Sequence, residues 1–205
     1  MTEFFENGVI RSVLDGNIND FEQLVTAYEK NVYNLALRMV GDPDDAADIT
    51  QETFIKAYRA LGSFRGDSKF SSWIYRIASN VCLDFLRSRS RRAQVPLSFE
   101  NEDEEGEIEL PDMSQNPEKV LMKKLSMEAV RRGMEKLPPK QRQILVLREL
   151  CGLSYAELAQ TLSVEEGTVK SRIFRARKRL CAILLGDGNI SDDAASISGK
   201  GDAEE

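Results

Sequence analysis

The 205-residue sequence contains no histidine, one tryptophan and only three cysteines. Without histidine, the commonest zinc ligand sets and every His-based arrangement of nucleophile and base are excluded. Cys82, Cys151 and Cys181 are far apart and form no C-x-x-C pair, so we expect buried, reduced thiols. No apolar run reaches the length of a membrane span, and the N-terminus lacks a basic start followed by an apolar core. We therefore expect a cytoplasmic protein with no metal site and no cofactor.

Acidic residues outnumber basic ones overall, but positive charge is concentrated locally. The formal net charge of −6 at first argues against a nucleic-acid partner. However, residues 118–185 hold 15 bases and seven acids, whereas residues 93–117 hold eight acids and no base. Blocks of like charge indicate partners or tails better than the whole-chain average does. The basic block is therefore informative about function.

The hydrophobic pattern has only helical periods, which predicts an all-α protein. Residues 93–117 lack a helical stripe and contain two internal prolines, so they predict a flexible acidic linker. The last twenty residues, 186–205, predict a disordered acidic tail. The expected organisation is two small helical domains, over 1–92 and 118–185, joined by the linker. The first domain is predicted to contain helices from about Phe4 to Leu14, Phe21 to Met39, Pro43 to Leu61 and Lys69 to Arg91.

The segment from about Ser154 to Leu180 predicts a helix-turn-helix. Ser154 and Glu157 have the spacing of a capping box, and Ser163 and Glu166 repeat that spacing. Two helices should therefore meet at a tight turn, as this motif requires. Its small shared core is predicted to consist of Leu158, Leu162, Val164, Val169 and Ile173.

The second helix of this motif carries six bases and no acid between Thr168 and Cys181. At 100° per residue, Phe174 and Arg175 lie opposite a buried stripe formed by Val169, Ile173, Ala176 and Leu180. Long cationic side chains can bond guanine edges and phosphates, and a phenylalanine can contact a thymine methyl. DNA binding is the favoured interpretation, and a solvated basic helix is the alternative. The candidate DNA-contacting residues are Thr168, Lys170, Ser171, Arg172, Phe174, Arg175 and Lys178.

Two helices of the first domain have outer faces that the pattern leaves ambiguous. The helix beginning at Pro43 exposes Ile55 among acids and amides, which suits an ordinary surface as well as a protein interface. The helix after Lys69 carries Trp73 and Asn80 on one line with arginines, which suits unstacked bases. An alternative, in which Trp73 belongs to the core and the arginines are solvated, explains this row of side chains slightly better.

Three segments, in this order, resemble the bacterial extracytoplasmic-function sigma factors, which are two-domain initiation factors of RNA polymerase. They are DITQETFIKAYRAL, FRGDSKFSSWIYRIASN and GLSYAELAQTLSVEEGTVKSRIFRAR, and the resemblance covers about residues 10 to 182. It implies a sigma region-2 helical bundle followed by a region-4 helix-turn-helix. The implied function is to bind core RNA polymerase, direct it to specific promoters and help melt the −10 region.

The resemblance also implies a role for each ambiguous face. The outer strip of the helix from Pro43 would dock on the clamp helices of the largest polymerase subunit. The helix-turn-helix would read the −35 element as duplex and sit on the flap of the second-largest subunit. The acidic linker is hypothesised to imitate a phosphate backbone in the polymerase's nucleic-acid channel. The implied polymerase contacts are Asp48, Gln51, Glu52, Ile55 and Arg59, and the implied −10 contacts are Lys56, Phe64, Arg65, Lys69, Trp73, Tyr75, Arg76 and Asn80.

The same resemblance implies binding partners, and two alternative functions are weighed against it. The family habit implies an anti-sigma factor, which could hold the chain at the membrane, and no small-molecule substrate. No enzyme activity is expected, because the chemistry is binding and strand opening without a covalent step. The main alternative is a stand-alone helix-turn-helix transcription regulator that binds duplex DNA by itself. A nuclease is a weaker one, because its carboxylates would have to converge, whereas here they fall at a helix N-terminus and in the linker.

Overall fold

A computed structural model describes residues 3–93 and 128–186 of the chain. Within these ranges every regular element is a helix, which confirms the predicted all-α class. Residue 93 ends a helix, and the remainder of the predicted linker lies outside the described residues. The predicted tail also lies outside them, apart from Gly186. We call the two described ranges the N-terminal module and the C-terminal module.

The N-terminal module contains four helices whose ends follow local sequence rules. Asp42 caps the third helix, because its Oδ1 accepts hydrogen bonds from the backbone amides of Asp44 at 2.9 Å and Asp45 at 3.0 Å. Gly41 ends the preceding helix with a φ of +82°, a conformation that glycine adopts without a Cβ clash. The helices are α1 (Glu3–Leu14), α2 (Phe21–Val40), α3 (Pro43–Ala60) and α4 (Phe70–Ala93), with short 3-10 turns at Ile18–Asp20 and Leu61–Ser63.

Helix α2 is central to this module, because it packs against α3 and α4 and also contacts α1. Its apolar stripe is buried, as its three- and four-residue spacing predicts. Tyr28 on this stripe donates a hydrogen bond to Glu6 on α1 at 2.6 Å. Burial raises the pKa of Tyr28, so the hydroxyl stays a donor. The buried side chains of α2 are Phe21, Leu24, Tyr28, Val32, Leu35, Ala36, Met39 and Val40.

The C-terminal module is built around the predicted helix-turn-helix. Its shared core forms as expected, since Leu158, Val169 and Ile173 are buried and Leu162 and Val164 pack against them. A wider π-helical turn follows the helix that starts at the double proline. The elements are helical residues 128–136 (α5), α6 (Pro139–Leu145), the π-helical turn Val146–Leu150, α7 (Tyr155–Leu162) and α8 (Glu166–Gly186).

The second predicted capping box is wrong. Ser163 ends α7 in the left-handed conformation, with a φ of +55°. Glu166 is the first residue of α8, whereas a capping box places its glutamate three residues after the cap. The tight turn between the helices therefore depends on a left-handed serine, and only the box at Ser154 and Glu157 forms.

Two leucines and one cysteine differ in exposure from what helical spacing alone would give. Leu83 on α4 is only 7% exposed, because α4 is packed on more than one side. Leu150 is 45% exposed, since the π-helical turn changes the phase of the helix there. Cys82 is buried as expected, whereas Cys181 is exposed near the end of α8.

Candidate nucleic-acid interface

Helix α3 has one buried face and one exposed face. Ile49, Thr53 and Ala57 are buried against the core, as the spacing predicts. Ile55 is 52% exposed, although it is a large apolar side chain. We call the opposite face the outer strip, and its residues are all exposed: Asp48, Gln51, Glu52, Ile55 and Arg59.

An aromatic cluster anchors the loop between α3 and α4. Phe64 lies in the loop, and its ring centroid is 5.7 Å from that of Phe70 and 5.3 Å from that of Trp73. Phe70 is buried and also contacts Tyr28 of α2, with the ring centroids 5.3 Å apart. These edge-to-face and tilted contacts fix the loop on the N-terminal module. Trp73 remains half-buried at the surface of the cluster.

A cleft of about 390 Å³ opens beside this cluster, within the size range of ligand sites. Ser72 lies in its wall, is only 3% exposed, and its hydroxyl has no hydrogen-bond partner within the described part of the chain. Buried hydroxyls normally find a partner, so this one is available to a bound group. The lining residues are Ser63, Phe64, Arg65, Asp67, Ser68, Ser72, Trp73, Arg76, Gln160 and Thr161.

The residues implied to contact the −10 element are mostly accessible, with one exception. Tyr75 is only 6% exposed, and its ring packs against Tyr28 with centroids 6.5 Å apart. Burial raises its pKa to about 12. Tyr75 is thus buried in this arrangement, and its role as a −10 contact stays a prediction. Phe64 and Trp73 are half-buried, and Lys56, Arg65, Lys69, Arg76 and Asn80 are exposed.

The first helix of the motif starts at a complete capping box. The backbone amide of Ser154 donates to Glu157 Oε2 at 2.8 Å, and the Glu157 amide donates to Ser154 Oγ at 3.2 Å. The bond from the Ser154 amide, followed by the bond from Lys69, lowers the pKa of Glu157 to about 2. Glu157 is therefore ionised throughout the physiological range.

Helix α8 presents a basic surface of mixed accessibility. Arg175 folds back on its own helix, with Nε 3.3 Å from the Ser171 carbonyl oxygen and Nη2 3.2 Å from Ser171 Oγ. Arg177 donates to Glu149 at 2.6 Å, which ties the flank of the helix to the preceding turn. Of the implied DNA contacts, Lys170, Arg172 and Lys178 are exposed, whereas Thr168, Ser171, Phe174 and Arg175 are half-buried.

The structure brings together residues that belong to different predicted surfaces. Lys69 of the N-terminal module forms an ion pair with Glu157 of α7 at 2.9 Å. Lys56, an implied −10 contact, pairs with Glu52 of the outer strip at 2.8 Å. Two cleft residues, Gln160 and Thr161, come from the C-terminal module. Gln160, Thr161 and Ser72 cannot be recognised as cleft residues from the sequence, because no local pattern indicates which distant helices meet.

Two further observations concern the described residues as a group. Among residues 3–93 and 128–186, no cluster of three or more cysteine, aspartate or glutamate side chains could share a metal ion. No described helix is both long and apolar enough to cross a membrane.

Comparison with known proteins places both modules in characterised groups. Residues 24–92 match the family model for Sigma-70 region 2, and residues 127–180 match that for Sigma-70, region 4. The chain is 38% identical to the RNA polymerase sigma-H factor of Pseudomonas aeruginosa over 88% of this chain and 94% of that protein. It is 42% identical to the ECF RNA polymerase sigma-E factor of Escherichia coli K12 over 84% of this chain and 90% of that protein.

Solved structures resemble the fold as well. The structure of CnrH in complex with the cytosolic domain of CnrY is 26% identical, with a TM-score of 0.62, covering 87% of this chain and 96% of that chain. The sigma factor RpoE of Bartonella quintana, in complex with the anti-sigma factor NepR, is 26% identical with a TM-score of 0.59. That match covers 81% of this chain and 97% of the RpoE chain.

Proposed function

Because this chain belongs to the extracytoplasmic-function family of RNA polymerase sigma factors and directs RNA polymerase to promoters, we propose that its two modules read different parts of one promoter. The N-terminal module would take the −10 element as single strand, and the C-terminal module would take the −35 element as duplex. The observation that carries this division is the contrast between an aromatic-lined cleft and a basic helix-turn-helix. A stand-alone regulator is not favoured, since both modules match sigma regions.

Helix α8 is proposed to enter the major groove at the −35 element. Its exposed Lys170, Arg172 and Lys178 supply cationic donors for phosphates and guanine edges. Arg175, held by Ser171 in the free chain, would exchange that bond for one to DNA. Phosphate contacts would set the position of the helix, and few side chains would specify sequence.

The cleft is proposed to hold a base flipped out of the −10 element. Trp73 offers a ring for stacking, while the Ser72 hydroxyl and the guanidinium of Arg76 offer bonds to a base edge or a phosphate. Stacking of this kind contributes about 1–3 kcal/mol per base, which can offset the cost of unpairing and unstacking. Strand opening would follow from trapping bases, with no covalent step by this chain.

The outer strip is proposed to dock on the clamp helices of the largest polymerase subunit. Ile55 has the properties of an interface anchor, because it is a large apolar side chain surrounded by charged and amide groups. The C-terminal module would also contact the flap of the second-largest subunit. These contacts would hold the cleft and helix α8 at fixed positions on the polymerase, so that each faces its promoter element.

An anti-sigma factor is a further proposed partner, in keeping with the complex of RpoE with the anti-sigma factor NepR. The chain would act in the cytoplasm, where the polymerase and chromosome are, and a membrane-bound anti-sigma factor could hold it at the membrane. Its role would be binding rather than catalysis, with no small-molecule substrate.

A run-off transcription assay with core polymerase and promoter fragments tests the proposal, and two arginines of α8 provide a matched pair. Arg172→Ala should lower promoter-specific transcript at least about fivefold, since one DNA contact is worth about 1–3 kcal/mol. Arg177→Ala should have a much smaller effect, because Arg177 is engaged by Glu149. Both substitutions remove one exposed charge from the same helix. Equal losses would contradict the assigned reading face, and tight promoter binding without polymerase and without transcript would contradict the sigma function.

A further inference from the structure

The aromatic ring of Tyr155 lies beside two basic side chains that come from different elements. The guanidinium carbon of Arg148 lies 4.8 Å from the centroid of this ring, and Nζ of Lys170 lies 6.0 Å from it. Arg148 belongs to the π-helical turn, Tyr155 is the first residue of α7, and Lys170 lies near the start of α8. Three consecutive elements of the C-terminal module therefore meet at one ring.

The side chain of Arg148 is held in place by two contacts. Its Nη1 donates a hydrogen bond to the carbonyl oxygen of Leu153 at 2.6 Å, and its guanidinium lies over the Tyr155 ring. The turn that carries it is wider than an α-helix, because the amide of Cys151 donates to the carbonyl oxygen of Val146, five residues earlier, at 3.2 Å. Turns of this kind are frequent at functional sites. Here the wide turn carries the side chain that reaches the ring.

The charges of Arg148 and Lys170 are not compensated by an acid. Within residues 3–93 and 128–186 no carboxylate pairs with either side chain, whereas Arg177 on the flank of α8 is paired with Glu149. The face of an aromatic ring attracts cations, so the ring of Tyr155 holds both groups near one point. Lys170 is exposed, while Arg148 and Tyr155 are half-buried, so an anion from outside can reach them. Two cations held together in this way favour a bound anion.

We propose that Arg148 and Lys170 bind the phosphate backbone of duplex DNA together, and that Tyr155 is a positioning residue that fixes both cations for this contact. We call these three residues the phosphate site. The proposal rests on the proposed binding of the −35 element by the C-terminal module. A DNA phosphate is the anion that fits, because the site adjoins the start of α8, the helix proposed to enter the major groove.

The phosphate site would determine where α8 lies in the groove. Arg148 and Tyr155 both precede α8, so the contact would connect the recognition helix and the two elements before it to the same stretch of backbone. Phosphate contacts fix the position of a protein on the duplex and carry no sequence information directly. Loss of the site should therefore weaken the binding of any duplex by the same factor.

The salt dependence of DNA binding tests the contact made by Arg148. The full chain in complex with core polymerase is titrated with a duplex that carries the −35 element at several salt concentrations, with core polymerase alone as the background. Arg148→Gln should lower the affinity severalfold and reduce the slope of log affinity against log salt by about 0.9, the value for one phosphate contact. Arg177→Gln is the matched control and should leave the slope unchanged, because Arg177 is engaged by Glu149. An unchanged slope in Arg148→Gln would overturn the proposal.

Two substitutions of Tyr155 separate positioning from direct contact with DNA. Tyr155→Phe keeps the ring and should retain the affinity and the slope of the wild-type chain. Tyr155→Leu removes the ring and should reduce the slope by at least about half of the change caused by Arg148→Gln. Added to Arg148→Gln, Tyr155→Leu should cost less affinity than it does alone, because the two residues act together. Equal losses in Tyr155→Phe and Tyr155→Leu, or fully additive losses in the double variant, would contradict the positioning role.

A structural effect of Tyr155→Leu is distinguished by the same titrations. Partial unfolding would lower the active fraction of the chain, which urea unfolding measures, but would leave the slope of the active fraction unchanged. A shuffled duplex of the same length should show the same factor of loss as the −35 duplex, and a loss confined to the −35 duplex would contradict a phosphate contact.

The wild-type complex tests the proposed function separately. Equal affinity of the wild-type complex for the −35 duplex and the shuffled duplex would reject the proposed reading of the −35 element. The salt slopes of the variants would still decide whether the phosphate site binds DNA. Conversely, a clear preference for the −35 duplex together with unchanged slopes in the variants would reject only the phosphate site.

Discussion

Ile55 is exposed on α3, whose opposite face is buried. Its substitution therefore distinguishes an effect on polymerase binding from an effect on the stability of the fold. Ile55→Glu should weaken binding to core polymerase by at least about tenfold, since anchors buried at an interface are worth about 2 kcal/mol or more. The free energy of unfolding should change by less than about 0.5 kcal/mol, as for other exposed sites. Fluorescence titration with core polymerase and urea unfolding measure the two quantities.

Leu185→Glu is the matched control for Ile55→Glu. Leu185 is similarly exposed but lies near the end of α8, away from the outer strip. It should leave polymerase affinity within about twofold of the wild-type value. A loss of affinity equal to that of Ile55→Glu would show that added negative charge, rather than the outer strip, is responsible.

Glu157 gives a pH-dependent prediction. Its pKa falls from 4.5 to about 2 on folding, so its carboxylate stabilises the folded chain above pH 4.5 and loses this effect as pH falls towards about 2. At pH 7, Glu157→Gln should lower the free energy of unfolding by about 0.5 kcal/mol, because glutamine keeps the bond to the Ser154 amide but loses the charge that faces Lys69 and the helix N-terminus. The difference between the two chains should shrink as pH falls from 4.5 towards 3. Urea unfolding at several pH values measures it, and a pH-independent difference would be the contrary result.

At the level of an element, two serines test what determines the helix ends. Both are followed by a glutamate three residues later, but Ser154 caps the start of α7 and Ser163 ends α7 in the left-handed conformation. Ser154→Ala should cost about 1 kcal/mol of unfolding free energy by removing a cap. Ser163→Gly should instead raise it, by about 0.5 kcal/mol, because glycine adopts a positive φ without strain. Urea denaturation of both variants distinguishes the roles. Any loss of stability in Ser163→Gly would indicate that Ser163 caps α8 after all.

The same serines show how far local sequence determines these elements. The predicted ends of α1, α2 and α3 agree with the structure to within about a residue, because proline, glycine and capping residues act locally. The capping box predicted at Ser163 and Glu166 does not form, because the spacing of a capping box does not specify the backbone conformation of its first residue. The basic face of α8 is predictable, since placing the sequence at 100° per residue puts the basic side chains away from the buried stripe.

Helix faces were less predictable where a helix has several neighbours. Helix α4 packs against α2 and α3 and also contacts α6 and α7. Tyr75 and Leu83 are consequently buried although they lie off the main apolar stripe. A single hydrophobic stripe describes a helix with one buried face, and α4 has more than one.

At the scale of the whole molecule, the shared core predicts how the chain unfolds. Because the buried side chains of both modules form one cluster, the wild-type chain should show one calorimetric transition. Gln143→Arg should split it into two transitions, because a charged group at the buried hydrogen bond from Gln143 to Ser79 would separate the modules. Ala182→Arg adds the same group at an exposed position of α8 and should retain the single transition. Two well-separated transitions in the wild-type chain would show that the modules are energetically independent.

This packing could not be predicted from the sequence. Gln143 and Ser79 are 64 residues apart, and neither residue carries a pattern that indicates the other. The family resemblance identified each module and its surfaces but says nothing of how these modules meet in the free chain. The cleft residues from α7 were missed for the same reason.

The ion pair between Lys69 and Glu157 has a consequence for the response to ionic strength. Added salt screens exposed charges, so it should weaken this contact and release Lys69. The same salt weakens the binding of basic side chains to phosphates. The two effects oppose each other in one protein. Transcription directed by this chain should therefore fall somewhat less steeply with rising ionic strength than that of a chain in which Lys69 has no carboxylate partner.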